Sequence, residues 1–299
     1  MNQTPNSGLS YGPDGGSALH NEFWDGFMDK VFMDKDSKLE LHTGSRMPIF
    51  GLGTWELTND TAGSVLYALE LGYRLIDTSS DYGTQRGIGA AIKRSNIARE
   101  NIYVTTKVEE TDDAYARTKS NLHELGLEYV DLMLVHRPPE AGAGEQLWAD
   151  LIRAKEEGLI TDIGVSNYPS ALIEKLIETS GQVPTVNQIE WSPFGWSQGM
   201  MKYCEDKNII IQAYSPLTRT KRLDNNALAQ IGEKHKKSPA QILIRWNLQL
   251  GTCPLPKANQ KKHLEENINV FDFQLDEDDI NRLGQLNEKH SSLGSLPYI

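Results

Sequence analysis

The chain has 299 residues, 38% hydrophobic and 24% charged, which allows a sizeable core and excludes fibrous or wholly disordered classes. A formal net charge of -11 repels a phosphate backbone and an anionic bilayer, so neither nucleic acid nor a membrane is an expected partner, although a local basic patch can still hold a phosphorylated small molecule. Two separated cysteines, Cys204 and Cys253, form neither a disulfide framework nor a metal cluster; with no signal-peptide pattern at Met1–Gly16 and no bilayer-length apolar run, the cytoplasm is the expected location and no metal is expected.

Residues 1–37 read as an N-terminal extension. Within them Phe23, Trp24, Phe27, Met28, Val31 and Phe32 recur at helical spacing, one face of a short amphipathic helix. Packing on the exterior or at a subunit contact is the plain reading, and a lid over the active site the sharper one. Glu22, Asp25, Asp29, Asp34 and Asp36 surround that face and disfavour membrane attachment. Lys38–Leu41, the polar turn His42-Thr43-Gly44-Ser45 and Met47–Phe50 then read as a hairpin that closes the floor of the main domain.

Eight short apolar runs come next, at Ile49–Trp55, Tyr73–Thr78, Ile102–Val108, Val130–His136, Ile160–Asn167, Thr185–Glu190, Ile209–Ser215 and Thr252–Pro256. Helical faces alternate with them. Ala62, Val65, Leu66 and Leu69 form one, with Thr58, Asn59 or Asp60 as N-cap and Gly72 beyond its end. Leu147, Trp148, Leu151 and Ile152 form another, ended by Gly158; Leu172, Ile173, Leu176 and Ile177 a third, between Pro169 and Gly181. Alternating strands and helices indicate a buried parallel sheet. A doubly wound open sheet would carry Gly-x-Gly-x-x-Gly at its first turn, but Gly51-Leu52-Gly53 continues Thr54-Trp55. Eight units over residues 38–299 fit a single-domain α/β chain folded as a (β/α)8 TIM barrel.

Catalytic residues of such a barrel come from the carboxyl ends of its strands. Those ends carry Asp77, Lys107, His136, Ser166 and Asn167, Gln188, Tyr214 and Lys257, with Tyr82 in the loop after Asp77. A tyrosine is a poor acid at neutral pH until a lysine ammonium favours its phenolate, and an aspartate can hold that lysine charged. Tyr82 can then protonate a carbonyl oxygen as hydride arrives at carbon, while His136 hydrogen-bonds the same oxygen. Tyr214 suits stacking on a nicotinamide ring, and Ser166, Asn167 and Gln188 supply partners for its carboxamide. Each residue alone has a structural explanation: an Asp–Lys ion pair, a strand-end histidine, a core-edge tyrosine, and a Ser-Asn N-cap ahead of Pro169. Their joint placement makes the site.

The chain resembles the aldo-keto reductases. The matching stretches are Gly51–Trp55, Gly72–Thr78 with Tyr82-Gly83, Thr106-Lys107-Val108, Leu134–Pro138, Ile163–Asn167, Val186–Glu190, Ala213–Leu217 and Leu255-Pro256-Lys257, in family order from about residue 38 to 290. The resemblance implies NADPH bound in extended form and Asp77, Tyr82, Lys107 and His136 as the catalytic group. It also implies Ser215, Pro216 and Leu217 along the pyrophosphate and Glu266 and Asn267 at the adenine end. Thr54, Trp55, Lys257, Ala258 and His263 join the cofactor set, Trp55 also touching the carbonyl substrate.

Several positions depart from the family pattern. Lys257 is followed by Ala258 where serine is common, and His263 stands where many members place the arginine that grips the 2′-phosphate. A permanent bidentate contact becomes a pH-dependent one, with Lys261 and Lys262 nearby, so NADH use is expected beside NADPH. Asp81, Glu109 and Arg137 stand where relatives with apolar substrates often carry valine or tryptophan. Charged walls suit small or polar carbonyls, unless Glu109 and Arg137 pair and close the site. Thr84-Gln85 replaces a pattern that commonly has glutamate at its second place. The segments Arg137–Glu145 and Leu217–Asn226 and the tail after Leu286 are short, which points to an open, promiscuous site in a monomer or weak homo-oligomer. Two other functions fit the fold: a lyase forming a Schiff base on Lys107, and a regulatory subunit that binds NADPH with little turnover.

Overall fold

The computed structural model describes residues 33–57 and 59–298. The expected helix at Phe23–Phe32 and the candidate cap Thr58 lie outside them. Strands β1 (Lys38–Glu40) and β2 (Arg46–Pro48) form the expected hairpin, with Lys38 opposite Pro48 and Glu40 opposite Arg46. Eight parallel strands come after it: β3 (Leu52–Gly53), β4 (Leu75–Asp77), β5 (Tyr103–Val108), β6 (Val130–Val135), β7 (Ile160–Ser166), β8 (Val186–Glu190), β9 (Ile210–Tyr214) and β10 (Cys253–Leu255). Each pairs with its sequence neighbours in a single sheet, and each falls inside the apolar run that predicts it. The ring is sealed between its first and last members by Gly51 N–H donating to Pro254 O (3.1 Å) and Gly53 N–H to Pro256 O (3.3 Å). A Cβ at Gly53 would stand 2.8 Å from the Leu255 carbonyl oxygen, so the glycine is there for the close approach that shuts the barrel.

Period-2 alternation sorts every strand. On β6, Leu132 and Leu134 enter the barrel interior with Leu75, Tyr103, Val186, Cys253 and Leu255, while Met133 and Val135 join the outer core under the helices. Leu41 and Met47 of the hairpin belong to that inner cluster and are almost fully buried, so the hairpin plugs the barrel floor. Asp162 ties it down by accepting from Thr43 Oγ1 (2.8 Å) and Ser45 Oγ.

The outer ring is α1 (Thr61–Leu71), α2 (Gln85–Arg94), α3 (Ala114–Leu125), α4 (Glu145–Glu156), α5 (Ser170–Ser180), α6 (Gln198–Asp206), α7 (Asn226–His235), α8 (Pro239–Gln249), α9 (Lys261–Ile268) and α10 (Glu277–Gly284). Helix α1 is capped by Asp60, whose side chain accepts from Gly63 N–H, and ends at a left-handed Gly72. Its buried face is Thr61, Val65, Ala68 and Leu69, rotated from the expected Ala62–Leu66 line because the helix also packs on α2 and α9. Leu147, Trp148 and Leu151 bury one face of α4, and Ile173 and Leu176 one face of α5, as their spacing predicts. Among the described residues no helix is long and apolar enough to cross a membrane.

Candidate active site

The same alternation that sends Leu75, Tyr103, Leu132 and Val186 into the floor sends residues of equal parity to the opposite mouth. Asp77, Lys107, His136 and Gln188 are therefore delivered together at one end of the barrel. Lys107 is fully buried, and its ammonium donates to Asp77 Oδ1 (2.9 Å), Asp77 Oδ2 (3.0 Å) and the Thr78 carbonyl (2.7 Å). Gln188 Nε2 donates to Asp77 Oδ1 (2.7 Å) and to Gln212 Oε1 (2.9 Å), and Gln212 Nε2 lies 3.1 Å from Met47 Sδ. A polar column thus runs down the barrel axis from the mouth to the floor plug. It compensates the buried charges, which would otherwise cost several kcal/mol each.

Tyr82 ends a 3-10 turn, Ser80–Tyr82, whose chain reverses through a left-handed Gly83 (φ 68°). Its ring centroid lies 4.9 Å from the Lys107 ammonium and 6.0 Å from the His136 ring, edge to face. Burial pushes the phenol up, and the Lys107 charge pulls it down by less, so the net direction is upward. The lysine does not depress the resting phenol below its ordinary value as the sequence suggests, because desolvation of the phenolate is the larger effect. For Lys107 burial also opposes the charged form, but Asp77 and Tyr82 prevail and hold the ammonium above its ordinary value.

His136 Nδ1 lies 2.8 and 3.0 Å from the two Glu109 carboxylate oxygens and 4.0 Å from Asp81 Oδ1. Ser79 Oγ donates to Glu109 Oε1 (3.1 Å). Burial raises the Glu109 carboxyl, but its hydrogen bond with His136, the charges of His136 and Arg137 and the Ser79 hydroxyl outweigh it and hold the group below its ordinary value. The Glu109 carboxylate thus closes on His136 rather than on Arg137. Asp81, Glu109 and His136 also bring three ligand-type atoms within 4.8 Å of one another, a grouping invisible in sequence because the three come from different loops.

A cavity of about 930 Å³ opens above this group. Trp55, Asp77, Asp81, Tyr82, His136, Arg137, Ser166, Asn167, Gln188, Tyr214, Ser215, Pro216, Leu217 and Lys257 line it, as does Thr54, whose hydroxyl donates to the Asp77 carbonyl (2.8 Å). Asn167 adopts φ 64° and is no N-cap: α5 begins after Pro169, and the Asn167 amide donates to His136 O (3.1 Å) and Ser166 Oγ (3.1 Å) while its oxygen accepts from Tyr214 OH (2.8 Å). Ser215, Arg219 and Thr220 also take positive φ (47°, 50° and 66°), backbone strain of the kind concentrated at binding sites. The Arg219 guanidinium stacks 4.1 Å from the Trp55 ring, and both side chains line the cavity. Ala258, His263, Glu266 and Asn267 do not line this cavity. Ala258 follows Lys257 ahead of α9 and is buried; on α9 Asn267 is buried and His263 and Glu266 are half-buried. Lys257, Lys261 and Lys262 are all exposed, and Lys261 leans on the Tyr67 ring (4.4 Å).

The short C-terminal tail reaches the mouth. Leu293, Ser295 and Pro297 form part of its wall. Buried Glu190 anchors them by accepting from Ser291 Oγ (2.7 Å) and Ser292 N–H (2.7 Å), and Tyr298 OH donates to the Glu190 carbonyl. Sequence reasoning passes over Gln212, Glu190 and Arg219. For the first two a signal existed, since each shares the inward parity of its strand's site residue, Tyr214 or Gln188. Arg219 had none.

The sequence profile of the Aldo/keto reductase family matches residues 50–288. The glyoxal reductase of Bacillus subtilis is 38% identical over 265 residues, covering 87% of this chain and 95% of that protein. The 9,11-endoperoxide prostaglandin H2 reductase of Trypanosoma cruzi is 39% identical over 257 residues, covering 83% and 90%. Among solved structures, an aldo/keto reductase from Brucella melitensis superposes with a TM-score of 0.80 at 38% identity, covering 84% of this chain and 99% of that one. The Bombyx mori aldo-keto reductase, solved in complex with NADP, gives 0.81 at 30% identity, covering 86% and 94%. The matched stretch contains all eight barrel strands and hence every strand end that feeds the cavity, and the chain belongs to the aldo/keto reductase family.

Proposed function

We propose that this protein reduces aldehydes and ketones to alcohols with NADPH, using Tyr82 as proton donor. One observation carries the reading: a phenol at the cavity wall stands over a fully buried Lys107–Asp77 ion pair and beside a histidine. Bound NADPH would supply the hydride to the carbonyl carbon. As negative charge grows on the oxygen, Tyr82 O–H transfers its proton there, and the ammonium 4.9 Å from its ring stabilises the phenolate left behind. Asp77 fixes that ammonium, and His136 donates a hydrogen bond to the same oxygen. The upward direction of the Tyr82 phenol keeps it protonated at neutral pH, as an acid for reduction must be.

The donor set around the cavity fits a nicotinamide carboxamide in a specific sense. Both amide donors of Asn167 and of Gln188 are already engaged within the protein, as is the Ser166 hydroxyl, which donates to Gln188 O. What remains is acceptor capacity on the Gln188, Asn167 and Ser166 oxygens, suited to receive the carboxamide NH2. Tyr214, tethered through its hydroxyl, presents its ring for stacking. Lys257 and Lys262 support a hold on a 2′-phosphate, and the absence of arginine at 263 supports use of NADH as well.

Asp81 and Arg137 on the cavity wall support small or polar carbonyl substrates, since an apolar ligand would desolvate both without compensation. The name of the Bacillus subtilis relative points the same way. Lys107 is absent from the cavity lining and spends its donors on Asp77 and Thr78, which argues against a Schiff base. The test is loss of NADPH absorbance over a carbonyl panel, run beside Tyr82→Phe. The variant is expected to lose roughly a hundredfold or more in kcat with cofactor affinity retained. Full activity in Tyr82→Phe would remove the proton-donor role, and preference for bulky apolar ketones would remove the polar-substrate reading.

A further inference from the structure

We propose that Gln212 is a positioning residue that fixes which end of the Gln188 amide faces the nicotinamide carboxamide. This rests on the nicotinamide-binding part of the reading above. Gln212 is fully buried on β9, in a barrel interior whose other members include Met47, Leu132, Val186 and Cys253. Burying an amide there costs free energy unless its polar atoms are bonded, a cost that leucine would avoid. What the amide bonds therefore explains its place.

Gln188 and Gln212 stand opposite each other in the β8–β9 register. Chemistry decides which amide atom faces which. The Asp77 carboxylate, paired with Lys107, can only accept, so Gln188 turns Nε2 to its Oδ1 (2.7 Å). Met47 Sδ is at best a weak acceptor and has no hydrogen, so Gln212 turns Nε2 to the sulfur (3.1 Å). Gln212 Oε1 is left to accept from Gln188 Nε2 (2.9 Å). Reversed, Gln212 would set NH2 against NH2 and oxygen against sulfur.

Both hydrogens of the Gln188 amide are thus taken by acceptors on other strands, one by Asp77 and one by Gln212. A bond to Asp77 alone would let the amide turn about it and bring its second N–H to the mouth. Two bonds fix its plane. Nothing among the described residues donates to Gln188 Oε1, and Gln188 lines the cavity, so the mouth meets an oxygen. That oxygen accepts from a carboxamide NH2 and repels a carboxamide oxygen. Gln212 does not line the cavity, so it acts through Gln188 and not on the cofactor.

The experiment compares the Kd of NADP+ with that of its 3-acetylpyridine analogue, in which methyl replaces the carboxamide NH2. Quenching of tryptophan fluorescence reads both without turnover. Wild type is expected to hold NADP+ tighter by about tenfold or more, since the analogue leaves Gln188 Oε1 without a donor. Gln212→Met keeps an unbranched chain of similar volume and removes the amide. The ratio in that variant is expected to fall to about threefold or less, through weaker binding of NADP+. A merely structural loss would weaken both ligands alike, so a ratio equal to that of wild type overturns the proposal. Equal binding of the two by wild type overturns it as well. If Gln212→Met does not fold, the 15N-labelled Gln188 amide of wild type decides. Two slowly exchanging protons support the proposal, and one that exchanges like an exposed amide sinks it. Wild type with the expected ratios but no NADPH oxidation on any carbonyl would refute the reductase reading while supporting this role for Gln212. Failure of wild type to bind either ligand would overturn both.

Discussion

Replacing Lys107 by methionine removes the charge that compensates Asp77 while keeping nearly the same volume. Neither side chain of the pair has more than 5% exposure. Without the ammonium, Asp77 Oδ1 keeps one donor, Gln188 Nε2 at 2.7 Å, and Oδ2 keeps none among the side chains that now bond it. Breaking a buried pair on one side costs about 3–5 kcal/mol, because a desolvated charge is left alone. Removing both charges, as in Asp77→Leu with Lys107→Met, leaves no such charge and should recover most of the loss. Urea unfolding of wild type, the two single variants and the double variant gives the cycle, with midpoints compared at constant slope. NADPH oxidation is followed on the same samples. The double variant is expected to regain stability and stay inactive, since under the proposed mechanism the Tyr82 phenolate would lose the charge that stabilises it. A Lys107→Met midpoint equal to that of wild type would refute the reasoning, as would activity returning with stability.

Gly53→Ala is expected to cost about 1–3 kcal/mol in urea unfolding, since its Cβ would meet the Leu255 carbonyl oxygen at 2.8 Å, whereas Gly199→Ala in α6, with nothing nearer than 3.8 Å, should be neutral or stabilising by up to about 1 kcal/mol. Glu190→Ala leaves Ser291 Oγ and Ser292 N–H without their acceptor, at about 1–3 kcal/mol. Proteolysis at Lys289 should quicken and KM rise; an unchanged cleavage rate would show that the tail is held by other contacts. Burial raises Tyr73, Tyr103, Tyr168, Tyr214 and Tyr298 above the ordinary phenol value of 10.0. A raised folded value stabilises fully below the unfolded value and is lost as pH climbs beyond it, so unfolding in base should be cooperative above pH 10, with tyrosinate absorbance appearing together with loss of circular dichroism. Tyrosinate formation near that pH with the fold intact would contradict the burial argument.

How much of the fold and site was legible in the sequence depends on how far apart the interacting residues lie. The eight strands, the hairpin plug and the strand-end positions of Asp77, Lys107, His136, Gln188 and Tyr214 follow from local periodicity. A two-residue repeat fixes which side chains point inward, and a parallel barrel sends all the carboxyl ends to one mouth. Tyr82 was legible through its family motif, although the sign of its displacement was not: burial depends on atoms from the whole barrel, and it outweighs the single charge that sequence suggests. The partner of Glu109 was likewise hidden. Arg137 and His136 are adjacent in the chain, and the choice between them turns on a strand-end direction that no spacing encodes. The tail looks brief in sequence yet walls the cavity, because buried Glu190 reaches across about a hundred residues to hold it. Sequence alone therefore determined the barrel and which residues reach its mouth, since both follow from near-neighbour geometry. Only the tertiary structure decided whom those residues meet there, as it did for the Glu109 carboxylate that closes on His136 and for the Glu190 side chain that holds the tail, because those partners come from elements far apart in the chain.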